Sequence, residues 1–181
     1  MRPGAIVHVT GEPSAGKTTL ANALADRLRC AGRRAEVLDG DALRRTVFPE
    51  LGFSGEDRDR AVSRAHELAR LLARNGVVAI VAMVSPRDRA RQEVGDAARA
   101  AGLGFLLVHV WAGDEARADR MADRVGGNLE AARALGREMA GIGGYAYEVP
   151  RRADFTVCTD GSSKLVSTTW ADVLATHLGV R

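Results

Sequence analysis

Short apolar runs alternate along the chain with longer stretches whose apolar residues recur every three or four positions. Runs of the first kind read as buried strands and stretches of the second kind as helices with one face inward. Ala5–Val9 predicts a first strand, and Leu20, Leu24 and Leu28 mark one face of the helix that follows. Ala35–Leu38 predicts a second strand ending at Asp39-Gly40-Asp41, with a short helix through Ala42–Arg45 before Pro49. Ser54 with Asp57 three residues later makes a capping-box start. The helix it opens runs to about Arg74 on a stripe of Val62, Ala65, Leu68, Ala69 and Leu72, and Asn75-Gly76 stops it. Val77–Val84 is apolar throughout, as a strand covered on both faces must be, and predicts the central strand. Ser85-Pro86 opens a fourth helix, with Pro86 in its first turn, that ends near Gly102. Phe105–Val110 predicts a fourth strand and Asp114–Arg124 a helix broken by Gly126-Gly127-Asn128. A helix from Leu129 to about Ala140, a glycine-rich loop over 141–145, a fifth strand at Asp154–Cys158 and a last helix to Leu178-Gly179 complete the pattern. Alternation of this kind predicts an α/β fold, a five-stranded parallel sheet with helices on both faces. All 181 residues fit one domain.

The turn after the first strand carries the chemistry. Gly11-Glu12-Pro13-Ser14-Ala15-Gly16-Lys17-Thr18 matches G-x-x-x-x-G-K-[ST] between a strand and a helix, the context that motif requires. Gly11, Ser14, Ala15, Gly16, Lys17, Thr18 and Thr19 are the expected nucleotide-phosphate contacts. Backbone N–H groups and a helix N-terminus would hold the phosphates. Lys17 would reach the β- and γ-phosphates, and the Thr18 hydroxyl would hold Mg²⁺. An ordinary glycine turn would need neither the lysine nor the threonine.

Ligands of open parallel sheets bind beyond the carboxyl ends of the strands. The second strand delivers Asp39 and Asp41 there, and the third delivers Ser85. One aspartate can hold Mg²⁺ through water while the other takes a proton from an acceptor hydroxyl. A turn or a helix cap would equally favour Asp-Gly-Asp. Arg117, Arg120 and Arg124 share a helical face. Arg120 reads as a guanidinium for the transferring phosphate, whereas Arg117 and Arg124 read as a solvated basic face with Asp114, Asp119 and Asp123 as partners.

Composition narrows the partners. A net charge of +3 with interspersed acids and few aromatics argues against a nucleic-acid surface and leaves room for a small anionic substrate. Cys30 and Cys158 stand apart, with neither a zinc nor a disulfide pattern. No signal peptide or membrane-length apolar run is present, so the expected place is the cytoplasm. A homodimer is the assembly carried forward. No N-K-x-D motif for guanine occurs, which favours ATP.

Three further segments give the chain a resemblance. Leu38-Asp39-Gly40-Asp41-x-Leu43-Arg44, Leu51-Gly52-Phe53-Ser54-x-x-Asp57-Arg58 and Val84-Ser85-Pro86, in this order, resemble adenylyl-sulfate kinases. These are P-loop enzymes that phosphorylate the 3′-hydroxyl of adenosine 5′-phosphosulfate. Tyr147-Glu148-x-Pro150, Asp154 and Thr159-Asp160 echo the family later on. The resemblance implies ATP and Mg²⁺ as cofactors, Asp41 as base, and Arg44, Phe53, Arg58 and Ser85 about the acceptor. It puts Arg120 at the start of a lid spanning about 114–146. The chain departs from the family at Ala42 and Ala61, where asparagine is usual, and in the lid signature. The aromatic ring and aspartate before Y-E-x-P are also absent from Met139-Ala140-Gly141-Ile142-Gly143. Two alternatives therefore stand beside the family reading: a related kinase for another hydroxyl, and a nucleotide switch without turnover. Asp41, Arg44 and Arg58 argue against the switch, which needs no acceptor pocket.

Overall fold

The computed structural model describes residues 3–124, 146–161 and 163–180. The expected break at Gly126-Gly127-Asn128, the helix over 129–140 and the loop over 141–145 lie outside them. Five strands, β1 (Ala5–Thr10), β2 (Ala35–Asp39), β3 (Val78–Ala82), β4 (Gly104–Trp111) and β5 (Phe155–Cys158), form one parallel sheet. Their order is β2-β3-β1-β4-β5. Six helices are described: α1 (Lys17–Cys30), α2 (Gly40–Thr46), α3 (Gly55–Arg74), α4 (Asp88–Ala100), α5 (Asp114–Arg124) and α6 (Ser163–His177).

Alternation along β1 divides the core in two. Val7 and Val9 face α1 and α6, where they pack with Leu20, Leu24, Leu28 and Leu174. Ile6 faces the other side, with Phe48, Ala65, Ala69 and Ala98 from the α2–α3 region and α4. The expected stripe of α3 is therefore real: Val62, Ala65 and Ala69 are buried, while Leu68 and Leu72 are partly so. Helices do cover both faces of a parallel sheet.

Three expectations need correction. The middle of the sheet is β1, not the Val77–Val84 run, because the crossover from β3 to β4 passes over β1 and leaves β3 between β1 and β2. That run is also strand only over Val78–Ala82. Thirdly, α4 begins at Asp88, so Pro86 precedes the helix instead of sitting in its first turn. The cause is local. Ser85 adopts a left-handed φ of 43°, outside the right-handed region that residues within a helix share. The first N–H of α4, that of Asp88, is capped from afar by the Glu148 carboxylate at 2.7 Å.

Candidate active site

The phosphate loop follows the middle strand, and its shape depends on glycine twice. A Cβ on Gly11 would lie 2.0 Å from the Val110 carbonyl oxygen, so β4 leaves space for hydrogen alone. Gly16 caps α1 at φ 96°, a conformation in which only glycine is unstrained. Ser14, at φ 60°, completes a backbone curled around the N-terminus of α1. Lys17 reaches back across this curl, its Nζ donating to the Glu12 carbonyl at 2.7 Å.

Thr18 stands on the first turn of α1 and donates its hydroxyl to Asp39 Oδ2 at 2.7 Å. The other oxygen, Oδ1, accepts from the N–H groups of Asp41 and Ala42 and so caps α2. Asp39 is thereby both a helix cap and the partner of the motif threonine. A hydroxyl and a carboxylate oxygen side by side at the mouth of a phosphate loop are hard ligands of the kind Mg²⁺ accepts together with water and phosphate oxygens. No group of three or more His, Cys, Asp or Glu that could hold a metal stands together among the described residues.

A cleft of about 320 Å³ opens beside the loop. Lys17, Thr18, Thr19, Asp39, Asp41, Arg44, Phe53, Arg58 and Ser85 all line it, so the sequence-predicted donor and acceptor residues meet in one place. Two arginines line the cleft beside Phe53. Arg44 donates to the Leu51 and Gly52 carbonyls and lies 4.8 Å from the centroid of the half-exposed Phe53 ring. Arg58, on the first turn of α3, is buried and donates from Nε to the Phe53 carbonyl at 3.0 Å. Burial lowers the pKa of both, and the charge of Arg58 lowers that of Arg44 further. Two like charges held together in a partly dry cleft favour an anion between them.

The third wall is the Ser85 turn, held from behind. His8 on β1 meets the Ser85 hydroxyl at 2.9 Å, and Arg91 on α4 donates to the Ser85 carbonyl. Arg91 is wholly buried. Its guanidinium also pairs with Asp88, donates to the Glu148 carbonyl and lies over the Tyr147 ring. Tyr147 stacks on His109, with its hydroxyl 3.3 Å from that of Thr10 at the end of β1, and burial pushes its pKa up to about 12. Periodicity gave no sign that Arg91 is a core residue. The Tyr147-Glu148 echo was the one visible hint of this clasp.

On the opposite flank α5 grips the phosphate loop. Arg117 pairs with Glu12 at 3.0 Å and with Asp114 at 2.6 Å, so it is bound to the loop as well as to the surface partner expected for it. Arg120 donates to the Ser14 carbonyl, to the Thr159 hydroxyl and carbonyl and to the Gly161 carbonyl. It thus sits against the loop's backbone on the β5 side and not among the residues lining the cleft, where the sequence places a guanidinium for the transferring phosphate, while its neighbour Met121 does line it. The side chain of Arg124 lies outside the description. Cys30 and Cys158 are free and exposed, as two ordinary thiols would be.

Fold and loop together define a nucleotide-binding phosphotransferase of the P-loop kind. Comparison with known proteins narrows the class. The family model for adenylylsulphate kinase matches residues 3–158. A probable adenylyl-sulfate kinase of Pyrococcus abyssi is 39% identical over 160 residues, covering 85% of this chain and 84% of its own. The adenylyl-sulfate kinase of Chloroflexus aurantiacus is 42% identical over 161 residues, covering 88% and 82%. Among solved structures, the Mycobacterium tuberculosis APS kinase in complex with AMPPNP and APS superposes with a TM-score of 0.80. It is 28% identical, covering 97% of this chain and 99% of that one. The chain belongs to the adenylyl-sulfate kinase family and is an ATP-binding kinase. No described helix is long and apolar enough to cross a membrane.

Proposed function

We propose that this kinase transfers the γ-phosphoryl of Mg·ATP to the 3′-hydroxyl of adenylyl sulfate. The observation that carries the reading is the convergence of Arg44, Arg58 and Phe53 on the cleft that also holds Lys17, Thr18 and Asp41. Two guanidiniums and a ring suit a planar, anionic acceptor. Mg²⁺, held by Thr18 and through water by Asp39, would supply positive charge to the β- and γ-phosphate oxygens. Lys17 adds a second cation there. Asp41, on the first turn of α2, takes the proton from the attacking hydroxyl. The loop from Gly11 to Thr19 holds the donor phosphates, and Ser85 closes the acceptor side. Arg120 serves the transfer by fixing the loop's backbone through Ser14 and Thr159.

Charge near the acceptor favours phosphoryl transfer over a switch without turnover. A second reading, another anionic hydroxyl compound as acceptor, is favoured by one observation. Ala61 is fully buried in the core beneath the cleft, so the position where the family has asparagine offers the acceptor nothing. ADP release should be measured with adenylyl sulfate, nucleosides, nucleotides and sugar alcohols, with product masses read beside it. Adenylyl sulfate is expected to gain one phosphoryl group. Turnover of another compound alone would transfer the assignment to the second reading, and ATP binding with no turnover of any would leave the switch.

A further inference from the structure

Behind the cleft lies a row of polar groups that the phosphotransfer roles leave unexplained. His66 on α3, His8 on β1 and Ser85 on the β3–α4 turn come from three separate elements and are all nearly or wholly buried. His66 Nε2 lies 3.1 Å from His8 Nδ1, and His8 Nε2 lies 2.9 Å from Ser85 Oγ. At the far end His66 Nδ1 has no hydrogen-bond partner among the described residues. Burial lowers the pKa of both rings, that of His66 to about 3, so each carries one proton near neutrality.

Two neutral rings in this contact allow two directions of donation. If His8 donates from Nδ1, His66 must carry its proton on Nδ1. A buried N–H would then be left unpaired beside a groove between α3 and α4 that is lined by Arg70, Arg87 and Arg89 and by Asp59, Glu67 and Glu93, of which Arg70 is the charge that acts on the ring. An orphaned donor is costly, and a cation one helical turn away makes it worse. If His66 donates from Nε2, its Nδ1 presents a lone pair to the Arg70 side, which that charge favours. His8 then accepts at Nδ1 and donates from Nε2, and Ser85 Oγ is an acceptor within the row.

We infer that His8 and His66 are positioning residues that fix the Ser85 hydroxyl as an acceptor inward, so that its own proton is left for the acceptor in the cleft. The inference rests on the acceptor site proposed above, since Ser85 lines that cleft. The left-handed φ of Ser85 and the grip of Arg91 on its carbonyl hold the turn in place for this donation.

Long-range ¹H–¹⁵N correlation of the histidine rings in the wild-type protein reads the direction without substrate. Protons on Nε2 of both His8 and His66 are expected, and a proton on Nδ1 of either overturns the inference. Kinetics supply the second readout. His66→Gln keeps an N–H at the reach of Nε2, whereas His66→Met does not. Methionine should raise the KM of whichever acceptor the wild-type enzyme phosphorylates by about 3- to 10-fold, the worth of one neutral hydrogen bond. The KM of ATP should stay unchanged, and glutamine should remain within about twofold of wild type by the same measure. Equal losses for both variants, or no loss with methionine, overturn the positioning role. If adenylyl sulfate is not phosphorylated while both rings show Nε2 protons, the proposed acceptor fails and the tautomeric row stands.

Discussion

Replacing Arg58 by alanine separates acceptor binding from ATP binding. The guanidinium of Arg58 is buried in the cleft wall, and its charge already depresses the pKa of Arg44. An acceptor anion held by this pair makes a charge-assisted contact worth about 1.5–3 kcal/mol. At about 1.4 kcal/mol per factor of ten, the KM for the acceptor should rise by about 10- to 100-fold. The loss should fall toward the lower end, because Arg44 is relieved of a like charge and still faces the ligand. Nε of Arg58 also holds the Phe53 carbonyl, so some of the effect is loss of ring placement. Arg58→Lys isolates that part by keeping a charge and removing the forked donor geometry. Steady-state kinetics with ATP and acceptor varied in turn, beside thermal melts, provide the measurement. An unchanged acceptor KM in a folded Arg58→Ala protein, or an equal rise in the KM of ATP, would refute the assignment of Arg58 to the acceptor.

Lys17→Ala should abolish turnover with little change in melting temperature, and wild-type-like ADP release from the folded variant would contradict the phosphate-loop assignment. Asp41→Asn should lower kcat by about 10²–10⁴-fold, the range of general-base catalysis, with ATP affinity nearly kept. A drop below tenfold would return Asp41 to a plain helix residue. Asp39→Ala removes a cap and should destabilise the fold by about 0.5–2 kcal/mol in urea titrations, on top of lost activity. The buried histidines predict an acid limb. Their folded pKa values lie below the unfolded value of 6.5, that of His66 at about 3, so their contribution to stability is complete above pH 6.5 and is lost as the pH falls below it. Each ring changes the slope by up to about 1.4 kcal/mol per pH unit. Urea unfolding between pH 6 and 4 should therefore be less steep in pH for His66→Gln than for wild type, and parallel curves would show that His66 is not kept neutral.

How far the sequence revealed this molecule depended on distance along the chain. The phosphate loop is one unbroken segment whose glycines answer to local backbone geometry, and it was readable in full. The stripe of α3 was readable because its period is intrinsic to the helix. Arg91 was not: its position in α4 resembles that of the exposed Arg89, and the ring of Tyr147 and the carbonyl of Glu148, more than fifty residues away, cover it together with Asp88 and the Ser85 turn. The start of α4 was misplaced because Ser85 turns left-handed just before it, and the N–H the helix then begins on is capped by the distant Glu148 side chain. His8 interrupts an apolar run, yet nothing local announces that His66 and Ser85 will meet it. Asp39 was legible as a cap, and the fold has it face Thr18 while it caps α2.

The strand order has a consequence for how such an enzyme changes. With β1 in the middle, the segments that carry the proposed acceptor residues Asp41, Arg44, Phe53, Arg58 and Ser85 follow β2 and β3 on one side. The grip of Arg117, Arg120 and Thr159 on the phosphate loop comes from β4, α5 and β5 on the other. Substitutions can accumulate in one parcel without passing through the other, because the shared strand separates them. A library confined to residues 40–62 and 83–87 would thus explore new alcohols on an inherited ATP engine, and a library at Arg117, Arg120 and the end of β5, with Met121 kept because it lines the cleft, would alter the engine while leaving the taste for alcohols alone.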